Sequence, residues 1–245
     1  MQLTFEGKTI DQLAIELIQA YYVPGKPFYG GFSGGVDSQC IYDLAERAEV
    51  KVDWYYNESP IDPLIIRDFI KTNYPKVKFQ NHSQHFFSKH VLSQGLPRRK
   101  QRWCCALIKE CGGEGRVKIL GMRKDESKGR SEYNCFMSNP GGGSWLLPIV
   151  NWTDKDRWQY LSERGIKANP LYSMGFKRTG CVLCPNQSKN DVALSLKYFP
   201  TIVRLWKIAA EKYIHERTTN PKRKPLSKNT KYHTGEEYFN WWIKR

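Results

Sequence analysis

The segment 33–38, with the sequence Ser-Gly-Gly-Val-Asp-Ser, constrains the fold more than any other part of the chain. The pattern before it predicts a strand over 28–32, and the pattern after it predicts a helix over 38–48 and a second strand over 50–56. This order is typical of a βαβ unit in a parallel sheet. Because a glycine loop at the start of a helix presents backbone N–H groups, segment 33–38 can bind an anion. A plain turn is the alternative, and the lysine of a Walker A loop is missing.

Further helices and strands alternate along the chain. We predict helices over 11–22, 63–74 and 153–164, the last with Thr153 as N-cap, and strands over 77–79, 116–121 and 145–149. A glycine-rich turn or mobile loop is expected over 139–143. The fold class is therefore α/β, a doubly wound, Rossmann-like parallel sheet. Residues 191–217 are predicted to add one or two helices, and the basic segment 220–231 is expected to be exposed.

The chain is strongly basic. It has 39 Lys and Arg against 24 Asp and Glu, which gives a formal net charge of +15. This balance favours nucleic acid or small anions such as nucleotides as partners, although a solvated basic surface gives the same count. The sequence shows neither a signal-peptide pattern nor an apolar stretch of roughly 18 residues, so we expect a cytoplasmic protein without a membrane partner.

Seven cysteines are present, four of them in two pairs. The adjacent pair Cys104-Cys105 is poorly shaped for a disulfide, whereas Cys181-x-x-Cys184 suits metal ligation. Four thiolates from two segments suit either zinc or a [4Fe-4S] cluster, and buried free cysteines are the remaining alternative. Zinc would ordinarily take a second spaced pair.

Segment 33–38 resembles the PP-loop of the ATP pyrophosphatases and of the adenosine-phosphosulfate reductase family, which is built on a doubly wound sheet. Segment 121–130 resembles that family's Gly-x-Arg-x-x-Glu/Asp-Ser-x-x-Arg signature. The resemblance implies that Asp37 and Arg123 serve catalysis, with Asp37 ordering the loop or helping to hold Mg²⁺. The nucleotide contacts it implies are Ser33, Gly34, Gly35, Asp37, Ser38, Arg123, Ser127 and Arg130.

The cysteine pattern resembles the [4Fe-4S] site of adenosine-phosphosulfate reductases and of the iron-sulfur ATP pyrophosphatases of DNA phosphorothioation. The resemblance spans about residues 28–186. It implies a PP-loop domain with the nucleotide and iron-sulfur sites over 1–190 and a helical, basic extension over 191–245. The ligands it implies are Cys104, Cys105, Cys181 and Cys184.

The chain departs from the reductases at its C-terminal part. Those enzymes attack sulfur with a tail cysteine, and this sequence has none after Cys184. We therefore expect an enzyme that cleaves ATP to AMP and pyrophosphate and activates an acceptor for transfer of sulfur from a donor protein. Nucleic acid is one candidate acceptor, and the basic segment 98–102 is placed to neutralise phosphate or the cluster. A reductase acting on adenosine phosphosulfate with another thiol, such as Cys135, and a nucleotide-binding iron-sulfur subunit without turnover are the alternatives.

Overall fold

The computed structural model describes residues 7–82, 84–138, 142–223, 225–226 and 232–244. Contacts between Cα atoms group the chain into two compact units. The first unit contains the described residues of 1–57, 65–80 and 112–173, and the second contains those of 58–64, 81–111 and 174–245. The helices in chain order are α1 Ile10–Ala20, α2 Val36–Arg47, α3 Leu64–Asn73, α4 Leu92–Gln94, α5 Asp154–Glu163, α6 Pro170–Ser173, α7 Lys189–Tyr198, α8 Pro200–Thr219 and α9 Gly235–Ile243.

A six-stranded sheet organises the first unit. Its strands are β1 Phe28–Gly31, β2 Val52–Glu58, β3 Lys78–Asn81, β4 Val117–Ile119, β5 Phe136–Ser138 and β6 Ser144–Leu146. Across the sheet the order is β3-β2-β1-β4-β6-β5. Strand β1 pairs in parallel with β2 and β4, and β4 pairs in parallel with β6. The predicted α/β class with a doubly wound, mostly parallel sheet is confirmed.

Close packing of β1 against β2 explains why β1 contains glycine. A Cβ atom at Gly30 would lie 2.2 Å from the ring of Trp54, so only glycine fits beside that buried indole. Apolar side chains of α2, including Val36, Ile41 and Leu44, are fully buried. Burial of these side chains stabilises the packing of α2 against the sheet. This packing holds the start of α2 at the end of β1.

The sheet departs most clearly from the prediction at its edge, in strands β6 and β5. The strand expected over 145–149 ends at Leu146, and a turn follows in which Val150 N donates to Leu147 O at 3.2 Å. Pro148 lacks a backbone donor and cannot extend the ladder. Strand β5 was not predicted, and it pairs antiparallel with β6 at the sheet edge. The N-cap predicted at Thr153 is confirmed, since its side chain accepts from Asp156 N.

The second unit is helical. It contains α4, α7, α8 and α9 together with two π-helices, Phe86–Val91 and Cys105–Lys109. Its core is aromatic, with Trp206, Phe239 and Trp242 almost completely buried. The helices predicted over 191–217 are confirmed, and Pro200 begins α8, where a missing N–H costs no hydrogen bond.

The expected domain boundary near residue 190 remains a prediction, and contact grouping assigns residues 174–190 to the second unit. Residues 139–141 of the predicted glycine turn, and residues 224 and 227–231 of the basic segment, lie outside the described residues. None of the described helices has both the length and the apolarity needed to cross a membrane.

Candidate functional site

The predicted anion loop lies where the strand order of the sheet reverses. Residues 32–35 follow β1, and residues 120–123 follow β4, the neighbouring parallel strand. From β1 the chain moves towards β2 and β3 on one side, and β4 lies on the other side. Ligands of doubly wound sheets bind outside the carboxyl ends of the strands at such a reversal. The fold thus places both predicted nucleotide segments at this position.

Glycines and serines shape the loop. Gly34 has φ +73°, a left-handed conformation that favours glycine. The hydroxyl of Ser33 accepts from Gly35 N at 3.3 Å and lies 3.3 Å from the hydroxyl of Ser38. Ser38 is buried and donates to Gly35 O at 2.8 Å. Ser38 therefore braces the loop from within, while the exposed Ser33 lies at its surface.

Helix α2 begins directly after this loop. Its N-cap residue is Gly35, which has no side chain to satisfy the first N–H groups of the helix. One of these groups, Val36 N, donates to the hydroxyl of Tyr172 at 3.1 Å. The positive end of the helix dipole adds to the attraction for an anion. Local structure at the loop is therefore suited to binding phosphate or sulfate.

Two arginines hold the carboxylate of Asp37. Arg123 Nε donates to Asp37 Oδ1 at 2.7 Å, and Arg157 Nη1 donates to Asp37 Oδ2 at 3.0 Å. Both arginines are buried, and Arg157 also binds Asp154. Since both Asp37 oxygens accept from guanidinium groups, the carboxylate orders the loop. The same geometry does not fit Asp37 as a ligand of Mg²⁺, which is the other role suggested by the sequence.

The guanidinium group of Arg123 makes its hydrogen bonds within the protein. Besides Asp37, its guanidinium donates to Trp152 O at 3.2 Å and to Asp125 at 3.4 Å, and its side chain is only 4% exposed. The backbone before it approaches α2 so closely that a Cβ at Gly121 would lie 2.9 Å from backbone atoms of Asp37. This geometry favours Arg123 as a positioning residue rather than a direct contact of the nucleotide.

The other predicted contacts of this segment lie in a surface loop. Two 3₁₀ turns, Lys124–Glu126 and Lys128–Arg130, follow Arg123. Ser127 joins them and is exposed, and Arg130 forms an ion pair with Glu126. The structure therefore places Ser127 and Arg130 in the surface segment that follows β4.

The four paired cysteines line one small cavity of the second unit. Cys104 immediately precedes the π-helix Cys105–Lys109, and π-helices are frequent at functional sites. Cys181 and Cys184 form a tight turn in which Cys184 N donates to Cys181 O at 3.2 Å. Leu183 in this turn has φ +57°, which is unusual for a branched residue. All four thiols are free of disulfides.

The electrostatic surroundings of the four thiols differ. The hydrogen bond between the two adjacent thiols, together with burial, raises the pKa of Cys104. The same bond lowers the pKa of Cys105 to about 7, and Arg102 and Lys109 act in the same direction. Burial raises the pKa of Cys181 and of Cys184. Cys105 is therefore the thiol that ionises most readily.

Charged side chains connect the segments around this cavity. Lys109 Nζ lies 2.5 Å from Asp62 Oδ2, and the Asp62 side chain is 4% exposed. Asp62 also hydrogen-bonds the thiol of Cys181. From the basic segment 98–102, Arg99 Nε donates to the carbonyl of Pro185 at 3.0 Å. These contacts link the two cysteine segments through side chains and backbone of the protein.

The donor set fits an iron-sulfur cluster in kind, because such clusters are held by four cysteine thiolates. Across the described part of the chain, no three His, Cys, Asp or Glu side chains are grouped as they would be to hold a metal ion. One zinc ion draws every thiolate to within about 2.3 Å, whereas a cluster distributes its thiolates over several irons. The structure brings the four thiols to one cavity, and this donor set is one that both zinc and iron-sulfur clusters use.

Three polar residues near these sites were missed by sequence reasoning. Arg157 lies 120 positions after Asp37 in a helix that carries no motif, so only packing reveals the pair. Asp62 likewise stands outside any recognised pattern, and Asn169 was given no role in the site. A buried polar residue is visible only once burial is known, and the ion pair between Arg157 and Asp154 was not predicted either.

Comparison with known proteins decides the family. A family model described as phosphoadenosine phosphosulfate reductase domain matches residues 29–187, more than half of the chain. The chain belongs to this family. The matched range contains the anion loop, segment 121–130 and both cysteine pairs. Membership confirms the resemblance and places the protein among the nucleotide-binding PP-loop proteins of the phosphosulfate-reductase type.

Individual members of the comparison are distant. Two uncharacterized proteins of Methanocaldococcus jannaschii are 27% and 23% identical over 77% and 80% of this chain. The chain spans only 42% and 52% of their lengths. An adenosine 5'-phosphosulfate reductase of Oceanobacillus iheyensis is 22% identical over 69% of this chain and 75% of its own length.

One solved structure supports the fold. The phosphoadenylyl-sulfate reductase from Candida auris, solved as a phosphate complex, superimposes with a TM-score of 0.53 at 17% sequence identity. The match covers 74% of this chain and 97% of the reductase. At this identity the likeness concerns the fold alone, and it agrees with the doubly wound sheet described above.

Proposed function

We propose that this protein binds ATP at the anion loop and cleaves it to AMP and pyrophosphate, which activates an acceptor for sulfur transfer. An oxygen of the acceptor attacks the α-phosphorus and releases pyrophosphate. A sulfur nucleophile, delivered by a donor protein, then displaces AMP. The observation that carries this proposal is the glycine loop at the start of α2, at the point where the strand order reverses.

In this reaction the loop binds and orients the phosphates. Backbone N–H groups of the loop, with Gly34 and Gly35 allowing close approach, and the Ser33 hydroxyl stabilise the charge that develops on phosphate oxygens. Asp37 and Arg123 act as positioning residues, because their charged groups bind one another. Ser127 and Arg130 contact the substrate from the surface loop that follows β4. Asp37 holds no Mg²⁺ in this reaction, because arginine side chains occupy both of its carboxylate oxygens.

Cys104, Cys105, Cys181 and Cys184 would hold a [4Fe-4S] cluster. Such a cluster would fasten the two cysteine segments to one another or carry sulfide for the transfer. Binding requires that the thiols lose their protons. Arg102 and Lys109 supply positive charge that favours the thiolate of Cys105.

Nucleic acid is the acceptor class that the charge favours. A formal net charge of +15 attracts polyanions. The segment 98–102 contributes three arginines and a lysine to that surface.

A reductase acting on adenosine phosphosulfate is the second candidate, because the family includes such reductases among its members. Its nucleophilic thiol would have to come from elsewhere, since Cys40 is completely buried. Cys135 lies at the carboxyl edge of the sheet, where its carbonyl accepts from Leu147 N at 2.7 Å. It is separated from β1 by three strand spacings, about 14 Å. A thiol at that distance does not reach a sulfur atom held directly on the loop.

Product analysis tests the proposal. Protein purified without oxygen is incubated with ATP, with and without DNA or RNA and sulfide, and AMP and pyrophosphate are quantified. Acceptor-dependent release of both is the expected result. Sulfite release from adenosine phosphosulfate in a parallel reaction would instead support the reductase, and nucleotide binding with neither product would support a subunit without turnover.

A further inference from the structure

Asn169 is a buried amide with an unsatisfied donor. The residue is 1% exposed and stands immediately before α6, where its Oδ1 accepts from Leu171 N at 3.1 Å. Its Nδ2 has no hydrogen-bond partner among the described residues. A buried N–H group without a partner is costly in free energy, so its persistence suggests that a ligand completes it.

The unsatisfied amide faces the anion loop. Asn169 Nδ2 lies 3.4 Å from the position that a Cβ atom at Gly34 would occupy. The same helical turn is fastened to the loop by Tyr172, whose hydroxyl accepts from Val36 N. Side-chain atoms of Ile70 lie 3.1 Å from the same position, so the amide and Ile70 together adjoin the loop backbone at Gly34.

We propose that Asn169 is a ligand contact of the nucleotide site, donating a hydrogen bond from Nδ2 to a phosphate oxygen of the bound adenosine nucleotide. This rests on the proposed nucleotide site. Phosphate is the group recognised, because the amide adjoins the glycine of the anion loop and the start of α2. A hydrogen bond to a charged oxygen is stronger than one between neutral groups.

Replacing Asn169 by serine isolates the donor. Asn169→Ser keeps a short oxygen that can accept from Leu171 N and removes the amide. AMP is expected to bind about 10- to 100-fold more weakly, which is the effect of losing one hydrogen bond to a charged group. Binding of adenosine, which lacks phosphate, is expected to change little. The melting temperature of the ligand-free variant should not fall, because its donor had no partner to lose.

Asn220 provides a matched control. Its Oδ1 accepts from Lys222 N at 3.0 Å in the same kind of turn, but its Nδ2 donates to Glu216. Asn220→Ser is therefore expected to lower the melting temperature slightly and to leave AMP binding unchanged. If Asn169→Ser does not fold, Asn169→Asp keeps the size and the cap, exchanges the donor for an acceptor, and should also weaken AMP selectively.

Calorimetric titration with AMP and with adenosine measures all of these proteins. Wild-type affinity for AMP in the Asn169 variants would overturn the assignment, as would an equal loss for AMP and adenosine. Absence of AMP binding in the wild-type protein would be a different failure, since it would remove the proposed nucleotide site itself and with it the role of Asn169.

Discussion

Asp37 shows how one carboxylate can fix the geometry of a binding loop. It lies in the first turn of α2, where negative charge is favoured, and it joins residues that are far apart in the chain. Arg123 comes from the segment after β4 and Arg157 from α5, and both meet the two oxygens of Asp37. Removing the carboxylate charge leaves two buried guanidinium groups with fewer partners.

We therefore predict that Asp37→Asn destabilises the protein. The expected loss in free energy of unfolding is about 1–3 kcal/mol, because a buried charged donor loses a charged acceptor. Urea unfolding followed by circular dichroism measures it. Asp68→Asn, at an exposed position of α3, is the matched control and should have little effect. Equal stability of the two variants would show that the ion pairs of Asp37 with Arg123 and Arg157 do not stabilise the fold.

At the same scale, motifs identified only part of this site. The loop glycines and serines, Asp37 and Arg123 stand in recognisable patterns, so their neighbourhood was predictable from sequence. The partners of Asp37 were not, because Arg157 has no sequence signal that distinguishes it from other helix arginines. The assignment of Arg123 to catalysis also followed the motif, whereas burial shows that its guanidinium is occupied by the protein.

The elements of greatest consequence are β1 and β4, because the segments that follow them pack directly against each other. Gly121 makes this possible, since a Cβ there would lie 2.9 Å from the backbone of Asp37. The backbone of α2 cannot move aside for an added Cβ atom at Gly121 in the way that a flexible side chain could. The anion loop is thus held in place by the exit of β4.

Gly121→Ala is predicted to displace these two segments. Overpacking of this kind costs typically 1–3 kcal/mol, and the shifted loop should bind ATP at least several-fold more weakly. Thermal unfolding and ATP titration measure both effects. Gly129→Ala in the same segment meets no atom within 4 Å and should resemble wild type. A Gly121 variant with unchanged melting temperature and affinity would contradict the close approach.

Two tyrosines of the first unit, Tyr42 and Tyr74, should make the stability of the fold depend on pH in the alkaline range. Burial raises the pKa of Tyr42 and of Tyr74 to about 12 each. Above about pH 10 the unfolded chain ionises these tyrosines while the folded chain keeps them protonated, so stability should fall as pH rises from 10 to 12. In Tyr42→Phe the melting temperature should fall less over this range. Tyr21→Phe, at an exposed position, serves as control, and equal pH profiles would rule out a contribution of Tyr42.

Regular elements of this chain were predictable because they follow simple periodicity. The strand, loop and helix around residues 28–48 and the helices after residue 190 appear as expected. Strand β5 and the two π-helices were not predicted. Strand β5 has only three residues and depends on pairing with β6, and a π-helix has the same local composition as an α-helix. Such features are decided by tertiary contacts.

The whole molecule comprises two compact units, each with its own candidate site. The first contains the anion loop, and the second contains the four cysteines. Both lie within the range that matches the family. The chain spans only 42% and 52% of the lengths of the two Methanocaldococcus jannaschii proteins. The acceptor and the sulfur donor are therefore part of the proposed function and not of the family assignment.

Metal analysis tests the cysteine site of the second unit. Cys181→Ser is predicted to lose iron and sulfide together with visible absorption, because a thiolate ligand is removed. Cys111→Ser is the matched control, since Cys111 belongs to the same unit but lies outside both pairs. Both variants are purified without oxygen and compared with wild type. Full iron content in Cys181→Ser would contradict the ligand set, and zinc alone in wild type would contradict the cluster.

Equilibrium dialysis of the anaerobically purified protein against labelled ATP tests the nucleotide site most directly. The account predicts about one ATP bound per chain, competition by AMP, and much weaker binding in Gly121→Ala than in Gly129→Ala. No ATP bound to wild type, or equal binding by the two glycine variants, would contradict a nucleotide site built on this loop.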